Sequence, residues 1–216
     1  MQIFLDSANI KEIEEIYNLG IIDGITTNPS LMSKTNNEFI ATISAICKIV
    51  NGDVSVEVVA NDFEMMIQQG KKILEIADNI VIKLPVTWDG IKACKYFAKQ
   101  DIKVNMTLCF SVNQALLAAK AGAYYISPFV GRLDDIGDNG MKLINDIRQM
   151  YDQQKQDTKI LAASIRNPQH VAAAAMIGAD VVTLSGKILW QLLDHPLTDK
   201  GLDIFNKDWV HSGLTI

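Results

Sequence analysis

A closed (β/α)8 barrel, the TIM barrel, with an additional C-terminal helix is the α/β fold class predicted by three observations. Short β-rich runs alternate with segments whose apolar residues recur at three-and-four spacing, giving eight βα units. The runs are apolar on both faces, as strands of a parallel sheet covered by helices are. At 216 residues the chain can build one large core, and no linker, repeat or low-complexity tract divides it. The length is below the roughly 250 residues usual for the fold. An open doubly wound sheet is the alternative, but neither GxGxxG nor GxxxxGKS follows the first strand.

Taken in order, the strands are expected at QIFLD (2–6), GITTN (24–28), VSVEVV (54–59), IVIKL (80–84), KVNMTL (103–108), YYISPF (124–129), KILAASI (159–165) and DVVTL (180–184). Helical spacing is clearest in KEIEEIYNLG, NEFIATISAICKIV and FEMMIQQGKKILEIA. Beyond the eighth strand, Pro196 separates the last barrel helix from a terminal helix. Residues 1–196 are thus expected to form the catalytic barrel and 197–216 a helical extension of the same domain. Leu202, Phe205 and Trp209 share one face of that helix, which must dock on its own barrel or on a neighbouring subunit.

With 49% apolar and 21% charged residues, the composition is that of a soluble globular protein. A net charge of -5 and a pI near 5.2 argue against a general nucleic-acid or anionic-membrane surface. Cys47, Cys94 and Cys109 are too few and too scattered for a disulfide framework or zinc cluster, and are expected to be reduced, mostly buried thiols. The start, MQIFLDSANIKEIEEI, has no basic segment followed by an apolar run, so no signal peptide is expected. No span approaches the roughly 20 apolar residues of a membrane helix. A cytoplasmic location is the expectation.

NIVIKLPVT (79–87) places a lysine inside an apolar strand. An unpaired buried ammonium is costly, and its usual escape is to lose its proton. Lys83 therefore reads as a reagent, or as a lysine whose head snorkels to the rim. Alternation tests the choice, because inward-facing residues at the C-terminal strand ends form the sites of barrel enzymes. Lys83 shares a face with Val81, Glu57 with Ser55, Asn105 with Thr107, Ser127 with Phe129, and Ser164 with Arg166. Asp6 ends the first strand and Asn28 the second, so seven strands deliver a polar or aromatic group to one rim. The eighth, ending VVTLSG, offers nothing more reactive than Thr183 and Ser185.

Singly, each residue has a plainer explanation. Asp6 and Asn28 would serve as helix caps, Glu57 and Lys83 as a structural ion pair, and Thr107 and Ser127 as ordinary hydrogen-bonding residues. Arg132, Ser164 and Arg166 together suit a phosphate held from two sides, whereas each arginine alone suits a surface ion pair. Asp134 or Asp135 is the obvious partner for Arg132.

The motifs LDSAN with Asp6, TTNPS with Asn28, VIKLP with Lys83, NMTLCFS with Asn105 and Thr107, ISPFVGR with Phe129 and Arg132, and AASIRN with Ser164 and Arg166 are similar to the motif series of transaldolases. All six appear in that family's order along nearly the whole chain. The short length resembles the compact branch that also contains fructose 6-phosphate aldolases. The aldolase pattern has glutamine where this chain has Glu57 and tyrosine where it has Phe129, so both positions side with transaldolase.

The resemblance implies transfer of a dihydroxyacetone unit from fructose 6-phosphate or sedoheptulose 7-phosphate to glyceraldehyde 3-phosphate or erythrose 4-phosphate. It further implies a Schiff base on Lys83 and a place in the non-oxidative pentose phosphate pathway. Asp6 would be the base, and Glu57 with Thr107 would move a proton through a water. Asn28, Asn105 and Ser127 would hold substrate hydroxyls beside Phe129, with Arg132, Ser164 and Arg166 on the distal phosphate. No cofactor is implied and no metal is needed, consistent with His170, His195 and His211 lacking ligand spacing. The expected partners are sugar phosphates, with no nucleic acid or membrane. Compact relatives tend to form homo-oligomers, decamers, through their terminal helices. Two other readings stay open: an aldolase releasing free dihydroxyacetone, and a silent sugar-phosphate-binding barrel that forms no adduct on Lys83.

Overall fold

The computed structural model describes residues 1–35 and 38–215. Asn37, the first residue of the segment NEFIATISAICKIV, and Ile216, the last of the expected extension, lie outside them. Eight parallel strands close in chain order, with β8 paired back to β1. They are β1 (Gln2–Asp6), β2 (Gly24–Thr26), β3 (Val54–Glu57), β4 (Ile80–Pro85), β5 (Val104–Cys109), β6 (Tyr125–Pro128), β7 (Lys159–Ala162) and β8 (Val181–Leu184). Around them run α1 (Ile10–Tyr17), α2 (Pro29–Met32), α3 (Phe39–Ile49), α4 (Phe63–Leu74), α5 (Trp88–Ala98), α6 (Val112–Ala121), α7 (Val130–Asp134), α8 (Gly140–Gln154), α9 (Pro168–Ile177) and α10 (Gly186–Gln191).

Local chemistry sets the junctions. Side-chain oxygens of Asn9, Asp62, Thr87, Ser111 and Asn167 accept from first-turn amides, so helices start soon after the strand ends, and Asn139 caps α8 in the same way after α7. Gly122 and Gly178 close α6 and α9 in the left-handed conformation, which glycine adopts without steric cost.

Strand alternation divides the core into two layers. Val56, Ile82, Leu84, Met106, Ile126 and Val182 pack outward against the helices. Phe4, Val81, Tyr125, Leu161, Ala163 and Val181 form a second cluster inside the barrel. Two residues further along their strands, Phe4 gives way to Asp6, Val81 to Lys83, Tyr125 to Ser127 and Val181 to Thr183. An apolar floor thus carries a polar layer at the C-terminal end.

Four expected strands stop early, each for a local reason. β2 ends before Asn28, whose extended backbone and side-chain bond to the Leu31 amide start α2 at Pro29. β3 ends at Glu57 rather than Val59, whose amide donates to the Gln69 side chain. β6 ends at Pro128, although Phe129 keeps an isolated bridge to Ala163. β7 ends at Ala162, because Ser164 has φ +58°, a left-handed conformation uncommon outside glycine. Ser164 and Arg166 therefore lie on a loop, and strand alternation does not apply to them.

α11 (Pro196–Ser212) begins where Pro196 predicts, and it buries none of its residues. Leu202, Phe205 and Trp209 are 56%, 70% and 45% exposed, so docking on the chain's own barrel is not the arrangement found. Among the described residues no helix is long and apolar enough to cross a membrane.

Candidate active site

Register brings the strand-end residues level: Asp6 pairs with Thr26, Glu57 with Lys83, and Lys83 with Asn105. Lys83 is only 4% exposed. It is not an unpartnered charge, as its strand alone suggested. Its Nζ lies 3.0 Å from Glu57 Oε2 and donates to the Thr27 carbonyl at 2.9 Å. The amine and the Glu57 carboxylate therefore form a close pair inside the barrel.

Lys83 and Asp6 line a cavity of about 280 Å³ together with Asn28, Ser127, Phe129, Arg132, Ser164 and Arg166. Eight of the eleven expected site residues thus meet in one space. The other three stand apart from its lining. Glu57 borders a smaller cavity of about 150 Å³ that it shares with Thr27 and Asn28. Asn105 is fully buried, accepting from the Ser127 hydroxyl at 2.7 Å and donating to Ser55 at 3.2 Å. Thr107 is buried with its hydroxyl lacking a partner among the described residues.

Asp6 accepts from the Thr26 hydroxyl at 2.7 Å. Burial pushes its carboxyl above the ordinary aspartate value, against the opposing pull of Thr26, the Lys83 charge and Asn28. Once ionised, such a carboxylate is a stronger base than a solvated one. Burial also raises the thiols of Cys47, Cys94 and Cys109, to about 11, 12 and 12, leaving three unpaired and weakly reactive cysteines.

Arg166 makes the surface ion pair expected of an arginine taken singly, whereas Arg132 takes neither Asp134 nor Asp135 as its partner. Arg132 lies over the Phe129 ring at 5.1 Å, and Phe110 meets the same ring edge-on at 5.9 Å. Asp135 pairs instead with Arg166 at 2.8 Å, and Asp134 with His170 at 3.3 Å. Gly131 permits this packing: a Cβ there would come within 2.3 Å of the Ser164 carbonyl and 2.5 Å of Arg166 Nε. Of the four non-glycine residues with positive φ among the described residues, Leu108 and Ser164 fall at this rim. Leu108 lies within the β5–β6 register shift between Met106 and Cys109. Strained backbone of this kind is held by its surroundings and clusters at sites of function.

The sequence profile of the family described as transaldolase/fructose-6-phosphate aldolase matches residues 3–214. The chain belongs to this family. It is 56% identical over 216 residues to a probable transaldolase of Brucella anthropi and equally to one of Brucella ovis, with both chains covered in full. It is 54% identical to a probable transaldolase of Cereibacter sphaeroides, covering 100% of this chain and 99% of that protein.

Sequence reasoning missed three contributors to this candidate site. The Thr27 carbonyl orients the lysine, and Thr26 and Thr183 build a hydroxyl chain behind Asp6, with 2.6 Å between their oxygens. Thr26 sits two residues before Asn28 in GITTN, so alternation could have found it. Thr183 was visible but looked inert. Among the described residues no three His, Cys, Asp or Glu side chains gather as metal ligands would.

Proposed function

We propose that this chain is a transaldolase, moving a dihydroxyacetone unit from fructose 6-phosphate or sedoheptulose 7-phosphate to an aldose phosphate through a Schiff base on Lys83. The observation that carries this reading is the Lys83 amine, buried 3.0 Å from Glu57 in a site that also presents Asp6. Glu57 takes the ammonium proton, and the free amine attacks the ketose C2 carbonyl. The proton returns through a water near Glu57 and the unpartnered Thr107 hydroxyl, so the carbinolamine loses water to give an iminium. Asp6 then removes the C4 hydroxyl proton. The C3–C4 bond breaks, its electrons flow into the iminium, and an aldose phosphate leaves an enamine on Lys83. Attack of that enamine on a second aldose reverses these steps.

Asn28 and Ser127 hold the sugar hydroxyls, while Arg132, Ser164 and Arg166 hold the distal phosphate. Asn105, fully buried outside the cavity lining, orients Ser127 instead of touching the sugar. The reaction belongs to the non-oxidative pentose phosphate pathway in the cytoplasm. Incubation with fructose 6-phosphate and erythrose 4-phosphate tests the reading. Sedoheptulose 7-phosphate should accumulate, and ketose cleavage should depend on the acceptor. Acceptor-independent release of dihydroxyacetone would favour the aldolase instead.

Arg166→Ala should raise KM for phosphorylated ketoses by about tenfold with little change in kcat. A charge-assisted bond contributes roughly 1.5–3 kcal/mol, and the lower end suits a side chain this exposed. Steady-state kinetics on phosphorylated and unphosphorylated sugars check this; a fall in kcat alone would place Arg166 in the chemistry.

Phe129→Tyr should raise release of free dihydroxyacetone relative to transfer, with the adduct on Lys83 still forming. The parent ring offers no proton to the enamine, whereas a phenol would donate one or order a water. An unchanged release-to-transfer ratio would leave Glu57 as the main ground for preferring transaldolase.

The unpartnered face of α11 supports assembly as a homo-oligomer, a decamer in the compact branch. Deleting residues from Gly201 onward should reduce the assembly measured by size-exclusion chromatography or its solubility.

A further inference from the structure

We propose that Thr183, on β8, is a positioning residue that acts on Asp6 through Thr26, keeping the buried carboxylate supplied with a correctly directed hydroxyl proton. The inference rests on the reading of Asp6 as the base. β1 lies between β2 and β8 in the barrel, and on its inner face Thr26 and Thr183 bridge across it with 2.6 Å between hydroxyl oxygens. Both side chains are buried, at 2% and 5% exposure. Thr26 has one hydroxyl proton. Committed to Asp6 at 2.7 Å, that proton is unavailable to Thr183, so Thr183 must donate to Thr26 for both bonds to exist. The proton order with Asp6 ionised is therefore Thr183 to Thr26 to Asp6.

Donation from Thr183 polarises the Thr26 hydroxyl and fixes its rotation, strengthening its bond to the carboxylate. A charge-assisted bond gains more from this than a neutral one, so losing Thr183 costs the ionised form of Asp6 more than the protonated form. The other groups acting on Asp6 are Lys83 from β4 and Asn28 beyond β2. Glu57 lies across Lys83, and Arg132 and Arg166 line the same cavity. None of these sits on β8, so Thr183 can be altered without removing any of them.

Thr183→Val keeps the side-chain shape and removes the hydroxyl. The acid limb of the kcat profile, measured with fructose 6-phosphate and erythrose 4-phosphate, should move up by about half a pH unit. KM should stay within about twofold of the parent's, and Thr183→Ser should return the limb to its parental position. An unmoved limb in Thr183→Val would overturn the proposal, as would a change confined to KM, which would mark a substrate contact. A shift that serine fails to correct would assign the effect to packing and equally overturn it. Asp6→Asn, assayed in parallel, separates the two levels. If it retains turnover, Asp6 is not the base and both ideas fall; if turnover is lost while the Thr183→Val limb is unmoved, only the role of Thr183 falls.

Discussion

Lys83→Ala should abolish transfer, lowering kcat by roughly 10⁵-fold or more as removal of a covalent nucleophile does, while leaving phosphate-dependent sugar binding largely intact. Borohydride added with fructose 6-phosphate should label the parent on the peptide carrying Lys83, because it reduces an iminium to a stable amine, and should leave the variant unlabelled. Label on another residue, or none on the parent, would sink the covalent mechanism. The substitution should also weaken the fold. It removes the partner of Glu57 at 3.0 Å and the donor to the Thr27 carbonyl at 2.9 Å, in a site where Lys83 is 4% exposed. Leaving one member of a buried pair unmatched costs about 3 kcal/mol. Lys83→Met combined with Glu57→Gln should recover much of that stability in thermal unfolding without restoring turnover, separating the electrostatic penalty from the chemistry.

The barrel was legible because period-two alternation is a local property. Ile82 and Leu84 pack toward the helices and Val81 joins the interior cluster, placing Lys83 on the inner face as the string IVIKLP predicts. The same reasoning overran where single residues broke the strand. Pro29 turned Asn28 into a helix cap, and Ser164 took a left-handed backbone, so Ser164 and Arg166 reach the cavity on a loop. Alternation supplied the right neighbourhood for that pair through an arrangement that does not exist.

What remained illegible depends on contacts between distant parts of the chain. Thr26 and Thr183 are 157 positions apart, and they meet only because β8 closes onto β1. The choice of Arg166 by Asp135 is similar: the residues are 31 apart, and α7 approaches the β7 loop through Gly131. A sequence offers Asp134 and Asp135 to the nearer Arg132, whose guanidinium instead lies on Phe129. Residue types at the rim could be read in advance, but the hydrogen bonds that orient them required barrel closure.

Asp6→Asn should stop carbon–carbon cleavage while sparing the earlier covalent step. Loss of a general base costs about 10²- to 10⁴-fold, whereas the Lys83–Glu57 pair that forms the iminium is untouched. Borohydride should therefore trap the intact six-carbon ketose phosphate on Lys83 in this variant, and the three-carbon dihydroxyacetone adduct in the parent. Mass spectrometry of the labelled peptide distinguishes them, and a three-carbon adduct formed by the variant at the parental rate would remove Asp6 from the cleavage step. Stability should move in the opposite direction from activity. Burial raises the Asp6 carboxyl above its model-peptide value of 3.8, so the folded chain holds this proton more tightly than the unfolded chain does. The ionised carboxylate consequently disfavours folding, by an amount absent below pH 3.8, growing as pH rises toward the folded-state value and complete above it. An asparagine avoids that cost and still accepts from Thr26. The variant should melt higher than the parent at neutral pH, with the difference shrinking as pH falls through the region just above 3.8. A difference independent of pH would show that the gain came from packing rather than from relief of a buried charge.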